Sequence, residues 1–229
     1  MIVIRKNNVV ALCIFVLVIP LIVIGGLIIF KDKYYSFIAL LIAIFSCLPM
    51  FWLFHKKKSS SKEIAILATM IALSVAGRFI FAWLPGFKPV TAIAVRVGVY
   101  LGHTSGFLVG ALSAVISNFY FGQGPWTPFQ MFAWGILGFV AGMMGSPLKK
   151  SRVMLYAYAF LSGVLYSLVM DIWTVLWELG GFSAEVYLAK MLTALPHTLL
   201  YAVSNVVFLY LFAKPFGEKR ERVKLKYGV

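Results

Sequence analysis

Acidic side chains are scarce: the 229 residues include only 7 Asp and Glu against 21 Lys and Arg, and charged residues make up 12% of the chain. A soluble domain carries roughly twice that charged fraction, so a water-facing fold of any size is excluded. Cysteine is equally scarce. Cys13 and Cys47 each stand inside an apolar run, without a CxxC spacing or neighbouring histidines, and read as small buried hydrophobes with no redox chemistry. No HExxH, GxSxG, P-loop or DxD pattern occurs. No catalytic residue, metal site or cofactor is therefore assigned, and the chain has no means of its own to hydrolyse ATP.

What the chain has is hydrophobic length: 62% of its residues are hydrophobic and its mean hydropathy is +0.95. A helix needs about 20 apolar residues to cross the hydrocarbon layer. Breaking the chain at polar and Pro/Gly clusters gives apolar runs near 8–30, 35–54, 63–84, 89–102, 104–121, 127–146, 153–178 and 184–213. The expectation is an all-α integral membrane protein of about eight helices. An N-terminal transmembrane hairpin (1–54) and a basic linker (55–62) precede a six-helix domain with a basic tail (63–229). The first run follows Arg5 and Lys6 as a secretory signal core would, but it is longer and lacks a small-residue cleavage site, so it reads as a retained helix.

The net charge of +14 is concentrated in the segments 55–62, 149–152 and 214–226, which flank apolar runs. That is the basic excess of cytoplasmic loops rather than a nucleic-acid surface. Both termini then lie in the cytoplasm, and the outer connections 31–34, 84–89, 122–128 and 179–183 are poor in Lys and Arg. The run 89–102 is short for a span and is expected to lie beside a polar cavity, because such segments survive at membrane depth only against protein or water.

Ionisable groups within apolar runs are costly and default to function. Arg78, Arg96 and Asp171 are read as converging on an outward-facing cavity, with Arg96 balanced evenly between pairing with Asp171 and touching a ligand. Glu178 and Lys190 read as solvated, His103 as a helix start, and His197 as a satisfied interior histidine. The outer half also carries Asn118, Tyr120, Trp126, Gln130, Trp134 and Trp173. Flat rings with a few amides suit a planar organic ligand, although an interfacial belt would claim Trp83 and Trp177 first. Gln130 and Trp134 share a helix face at i, i+4. Along another helix, Ala68, Ala72 and Ala76 form a small-residue stripe, open at this point to internal packing or to docking of another helix.

From about residue 62 onward the chain resembles the substrate-binding membrane subunit, or S component, of energy-coupling factor (ECF) vitamin transporters, through its six helices and this AxxxA stripe. The resemblance implies a non-enzymatic subunit of a bacterial cytoplasmic membrane that captures a vitamin from outside through the loops 84–89, 122–128 and 179–183. It also implies that Ala68, Ala72 and Ala76 dock on a T component driven by two ATPases. The segment Gly122-Gln123-Gly124-Pro125-Trp126-Thr127-Pro128-Phe129-Gln130 is similar to S components associated with cobalamin or related compounds, which makes cobalamin the expected vitamin. The hairpin at 8–54 departs from the six-helix pattern. Two rivals are a self-sufficient secondary transporter of a small organic solute and a membrane enzyme or scaffold acting on lipid-borne substrates.

Overall fold

The computed structural model describes Phe51 and residues 60–212. The expected hairpin apart from Phe51, residues 55–59 of the expected linker and the basic tail lie outside the described residues; the end of that linker, 60–62, instead caps and opens α1, and Phe51 packs against the cluster of Phe107, Ala111 and Phe139. Seven helices are described: α1 (Ser61–Ile80), α2 (Val90–Leu101), α3 (His103–Phe121), α4 (Thr127–Met143), α5 (Gly145–Lys150), α6 (Arg152–Leu179) and α7 (Ala184–Leu211). The six core runs expected from the sequence all appear as helices. The short α5, carrying Lys149 and Lys150, is an addition that hydropathy alone does not separate from the end of α4. α1, α3, α6 and α7 are long and apolar enough to cross a membrane.

Local signals set the boundaries. Ser60 caps α1 by accepting from the Glu63 amide, in the Ser-x-x-Glu pattern of a capping box. Ser151 and Ser183 cap α6 and α7 in the same way. Gly102 at φ +101° turns the chain from α2 directly into α3, a conformation that a residue with a Cβ rarely adopts.

α2 is the central element, packed against α1, α3, α4, α6 and α7. Every position from Val90 to Val99 is buried. At 12 residues it rises only about 18 Å, well short of a bilayer core of about 30 Å, and it survives because protein surrounds it. The backbones of α2, α3 and α4 meet at glycines. A Cβ on Gly106 would lie 2.6 Å from the Gly98 Cα and 2.5 Å from the Gly138 carbonyl oxygen, and one on Gly135 would lie 2.7 Å from the Phe107 ring. Lipid is as apolar as the helices themselves, so association inside a membrane depends on this kind of close contact rather than on hydrophobic burial.

Because backbone on the facing helix cannot yield as a flexible side chain does, Gly106→Ala is expected to cost about 1–3 kcal/mol or more. The thermal unfolding midpoint in detergent reads it, and an unchanged midpoint would mean that the helices are not held this closely.

Candidate functional site

One end of the bundle gathers the last turn of α1, the C-terminal turn of α3 and the first turns of α2 and α4. Arg78 on α1 donates through one terminal nitrogen, Nη1, to Ser117 Oγ and to Asn118 Oδ1 (2.7 Å) on α3. A guanidinium can only donate, so this contact fixes the orientation of the Asn118 amide. Its Nδ2 is then free to donate to Thr127 Oγ1 (2.9 Å) and Gln130 Oε1 (2.8 Å) on α4. Thr127 passes its own hydroxyl proton to Gln123 Oε1, and Gln123 Nε2 donates to the Val115 carbonyl, so the α3–α4 loop is tied into the same network.

Below this polar layer lies an aromatic one. The Arg78 guanidinium sits 4.6 Å from the Phe121 ring centre and 5.2 Å from that of Trp134. Trp134 is buried, and its ring stacks on Tyr166 of α6 at 5.0 Å with the planes 5° apart. Gln130 and Trp134, one turn apart on α4, place the two layers side by side. The indole N–H of Trp134 donates to Tyr201 Oη of α7 (2.6 Å), and the same hydroxyl shares a hydrogen bond with Thr91 Oγ1 of α2 (2.5 Å), in which either group can donate. Three helices are thus joined through one fully enclosed hydroxyl group.

The structure brings Arg78, Asn118, Gln130 and Trp134 together and scatters the other sequence candidates. Arg96 is buried over the Tyr100 ring, near Tyr156 and toward the end that carries Lys149, and not beside Asp171. Asp171 faces α7, where His197 and Lys190 are its charged neighbours, and its Oδ2 is enclosed with no hydrogen bond. Trp173 is buried against Phe129 and Leu176, with Trp126 packed on the same cluster. Tyr120 is 74% exposed and meets Phe79 edge to face. His197 is a correction: it is exposed, and the turn at Gly86 packs against it. Glu178 and Lys190 form an exposed ion pair of 2.7 Å.

Ser117, Thr127, Tyr166, Tyr201 and Thr91 were not picked out in advance. The available signal was that a buried hydroxyl in an apolar run needs a partner, but it does not say which one. Lys88 was also passed over. Its amide donates to Ser204 Oγ of α7 (3.0 Å), whose hydroxyl donates back to the Lys88 carbonyl (3.2 Å), and its ammonium donates to the Phe81 carbonyl. The α1–α2 loop is thereby clamped to α7.

A second surface lies on α1. Leu67, Met70, Ser74 and Gly77 point into the bundle, whereas Ala68, Ala72 and Ala76 are exposed. The stripe is thus not used for packing among the described helices.

A bundle of apolar helices, four of them long enough to cross a membrane, with an enclosed polar and aromatic layer at one end, defines a multi-pass membrane protein. The sequence model of the ECF-type riboflavin transporter S component family matches residues 58–217, and the chain belongs to that family. It is a substrate-binding subunit of an ECF-type transporter. No curated protein and no solved structure matches the chain.

Tyr201→Phe would leave the Trp134 indole N–H enclosed without an acceptor, at an expected cost of about 1–3 kcal/mol. Thermal unfolding followed by tryptophan emission measures it. A midpoint equal to that of the parent protein would remove the hydroxyl from its central role.

Proposed function

We propose that this protein captures a flavin-class vitamin at the bundle end bearing Arg78, Asn118, Gln130 and Trp134, and releases it through a T component driven by two ATPase subunits. The observation that carries the proposal is the match to a family described as riboflavin transporter S components. The local chemistry agrees with it: an indole stacked on a phenol, a guanidinium over the indole and two amides offer flat surface and hydrogen bonds to a flat heterocycle. Cobalamin remains the competing vitamin. Its support is the segment 122–130, whose Gln123, Thr127 and Gln130 side chains are engaged within the protein.

The orientation follows from the basic residues. Lys149, Lys150 and Arg152 lie at the end opposite the candidate site, which supports a cytoplasmic location for that end in a bacterial cell membrane and an outward-facing site. Both termini then lie inside. Ala68, Ala72 and Ala76 supply a smooth face along which a helix of the T component can approach closely. The contacts proposed for Arg96, Tyr120, Trp126, Asp171 and Trp173 are secondary, since none joins the central network.

The protein purified in mild detergent is expected to carry, or to bind tightly after stripping, a yellow flavin. A corrin spectrum would replace flavin by cobalamin within the same family role, and uptake without any ATPase partner would favour a secondary transporter. Ala72→Trp is expected to lower ATP-driven uptake by about tenfold or more while changing ligand affinity by less than about threefold. Uptake equal to the parent's would take the docking role away from the stripe.

A further inference from the structure

α4 is flanked by α2, α3 and α6, which leaves it one side turned away from these helices. A helix at the rim of a membrane bundle shows that side to lipid, as α1, α6 and α7 do with Leu73, Leu161 and Leu192. α4 does not. None of its 17 residues is exposed. Phe132, Ile136, Val140 and Met143, three or four positions apart, form its outward stripe. All four are half-buried and pack against the cluster of Phe107, Ala111 and Phe139.

Phe51 packs on the same cluster. Phe107 is one turn into α3 and Phe139 one turn before the end of α4, so Phe51 stands toward the end of the bundle that carries Lys149 and Lys150. It belongs to the last turn of the apolar run 35–54. The stretch 35–50 would rise about 24 Å as a helix, close to the rise of about 26 Å along α4. The chain from Phe51 to Ser60 can reach about 30 Å at most, and α1 begins within that reach. Glu63, in the first turn of α1, accepts from Ser105 Oγ (3.3 Å), two residues before Phe107.

We propose that the apolar run 35–54 is a transmembrane segment docked lengthwise on the α3–α4 face through Phe51, and that it leaves the alanine stripe of α1 uncovered. The stripe is on another side of the bundle, since α1 packs mainly on α2 and α3 with Ala68, Ala72 and Ala76 facing out. Lipid supplies no drive to bury apolar surface, so the docking depends on close packing, and Phe51 sets an aromatic ring against the rings of Phe107 and Phe139. The segment thus widens the subunit beside α4 without obstructing the approach of another helix to α1. This holds whichever vitamin the protein binds.

The test uses the full chain in a Cys13→Ala background, which keeps Cys47, one helical turn before Phe51. A second cysteine is introduced on α4, as Phe132→Cys or Ile136→Cys, or on α1, as Ala72→Cys. Each protein is oxidised in membranes with copper phenanthroline, solubilised, cut with trypsin in the basic linker 55–62, and run on a gel with and without reductant. With either α4 cysteine the fragments are expected to stay joined until reduced, and with Ala72→Cys to separate. Separation in both α4 variants, or joining through position 72 as complete as through α4, would overturn the proposal. A disulfide-linked species of twice the chain's mass would give the face to a second copy and overturn it equally. Thermal unfolding in detergent needs no added cysteine: Phe51→Ala is expected to lower the midpoint by about 2–4 °C, and an unchanged midpoint would remove the anchor. Should one α4 variant fail to fold, the other carries the comparison.

Discussion

The structure depends on how closely the α2, α3 and α4 backbones approach one another. In water, burying apolar side chains would bring three such helices together at almost any reasonable distance. In lipid that drive is absent, and what remains is short-range packing and a few hydrogen bonds, both of which vanish within an ångström or two. Gly98, Gly106 and Gly138 let carbonyl groups and Cα atoms of neighbouring helices touch. Only in that frame do Asn118 on α3 and Thr127 and Gln130 on α4 fall within bonding distance. The polar layer, and through it the position of Arg78 on α1, is a consequence of three missing side chains.

Asn118 has a similar role one level up. It is enclosed, it accepts from a group that can only donate, and it donates to two groups that accept. Reversing its amide would set N–H against N–H toward Arg78 and oxygen against oxygen toward Gln130. The residue therefore has one low-energy orientation, and it conveys that order from α1 to α4. The Tyr201 hydroxyl does the equivalent for α2, α4 and α7. The two nodes together specify the register of five helices with very few polar atoms.

Much of this was legible in the sequence. The six core runs coincide with helices because spanning segments are written in long hydrophobic stretches, and Ser60, Ser151 and Ser183 stand where the helices begin. Arg78, Asn118 and Gln130 were identifiable because a charge or an amide in an apolar run is conspicuous, and Trp134 because it shares a helix face with Gln130 at i, i+4. What could not be read was rotation about each helix axis. Arg96 and Asp171 were expected to converge because of their depths, but they project in different directions, Arg96 to Tyr100 and Asp171 to α7. Trp173 looked like a cavity wall, yet it fills the gap beside Phe129. Tyr166 and Tyr201 were inconspicuous because a tyrosine in an apolar run looks like any other aromatic until its hydroxyl finds a partner. The alanine stripe is the converse case, since spacing left it ambiguous and burial places it on the outside.

The helices also differ greatly in length. α6 and α7 have 28 residues each, a rise of about 42 Å, whereas α4 has 17 and rises about 26 Å. The bundle therefore combines spanning helices of two different lengths. No flat membrane matches both, so lipid must thin on one side or the bundle must lean, at a cost of fractions of a kcal/mol per ångström. The composition of the surrounding lipid, through its chain length, thus becomes a variable that sets the resting tilt of this subunit.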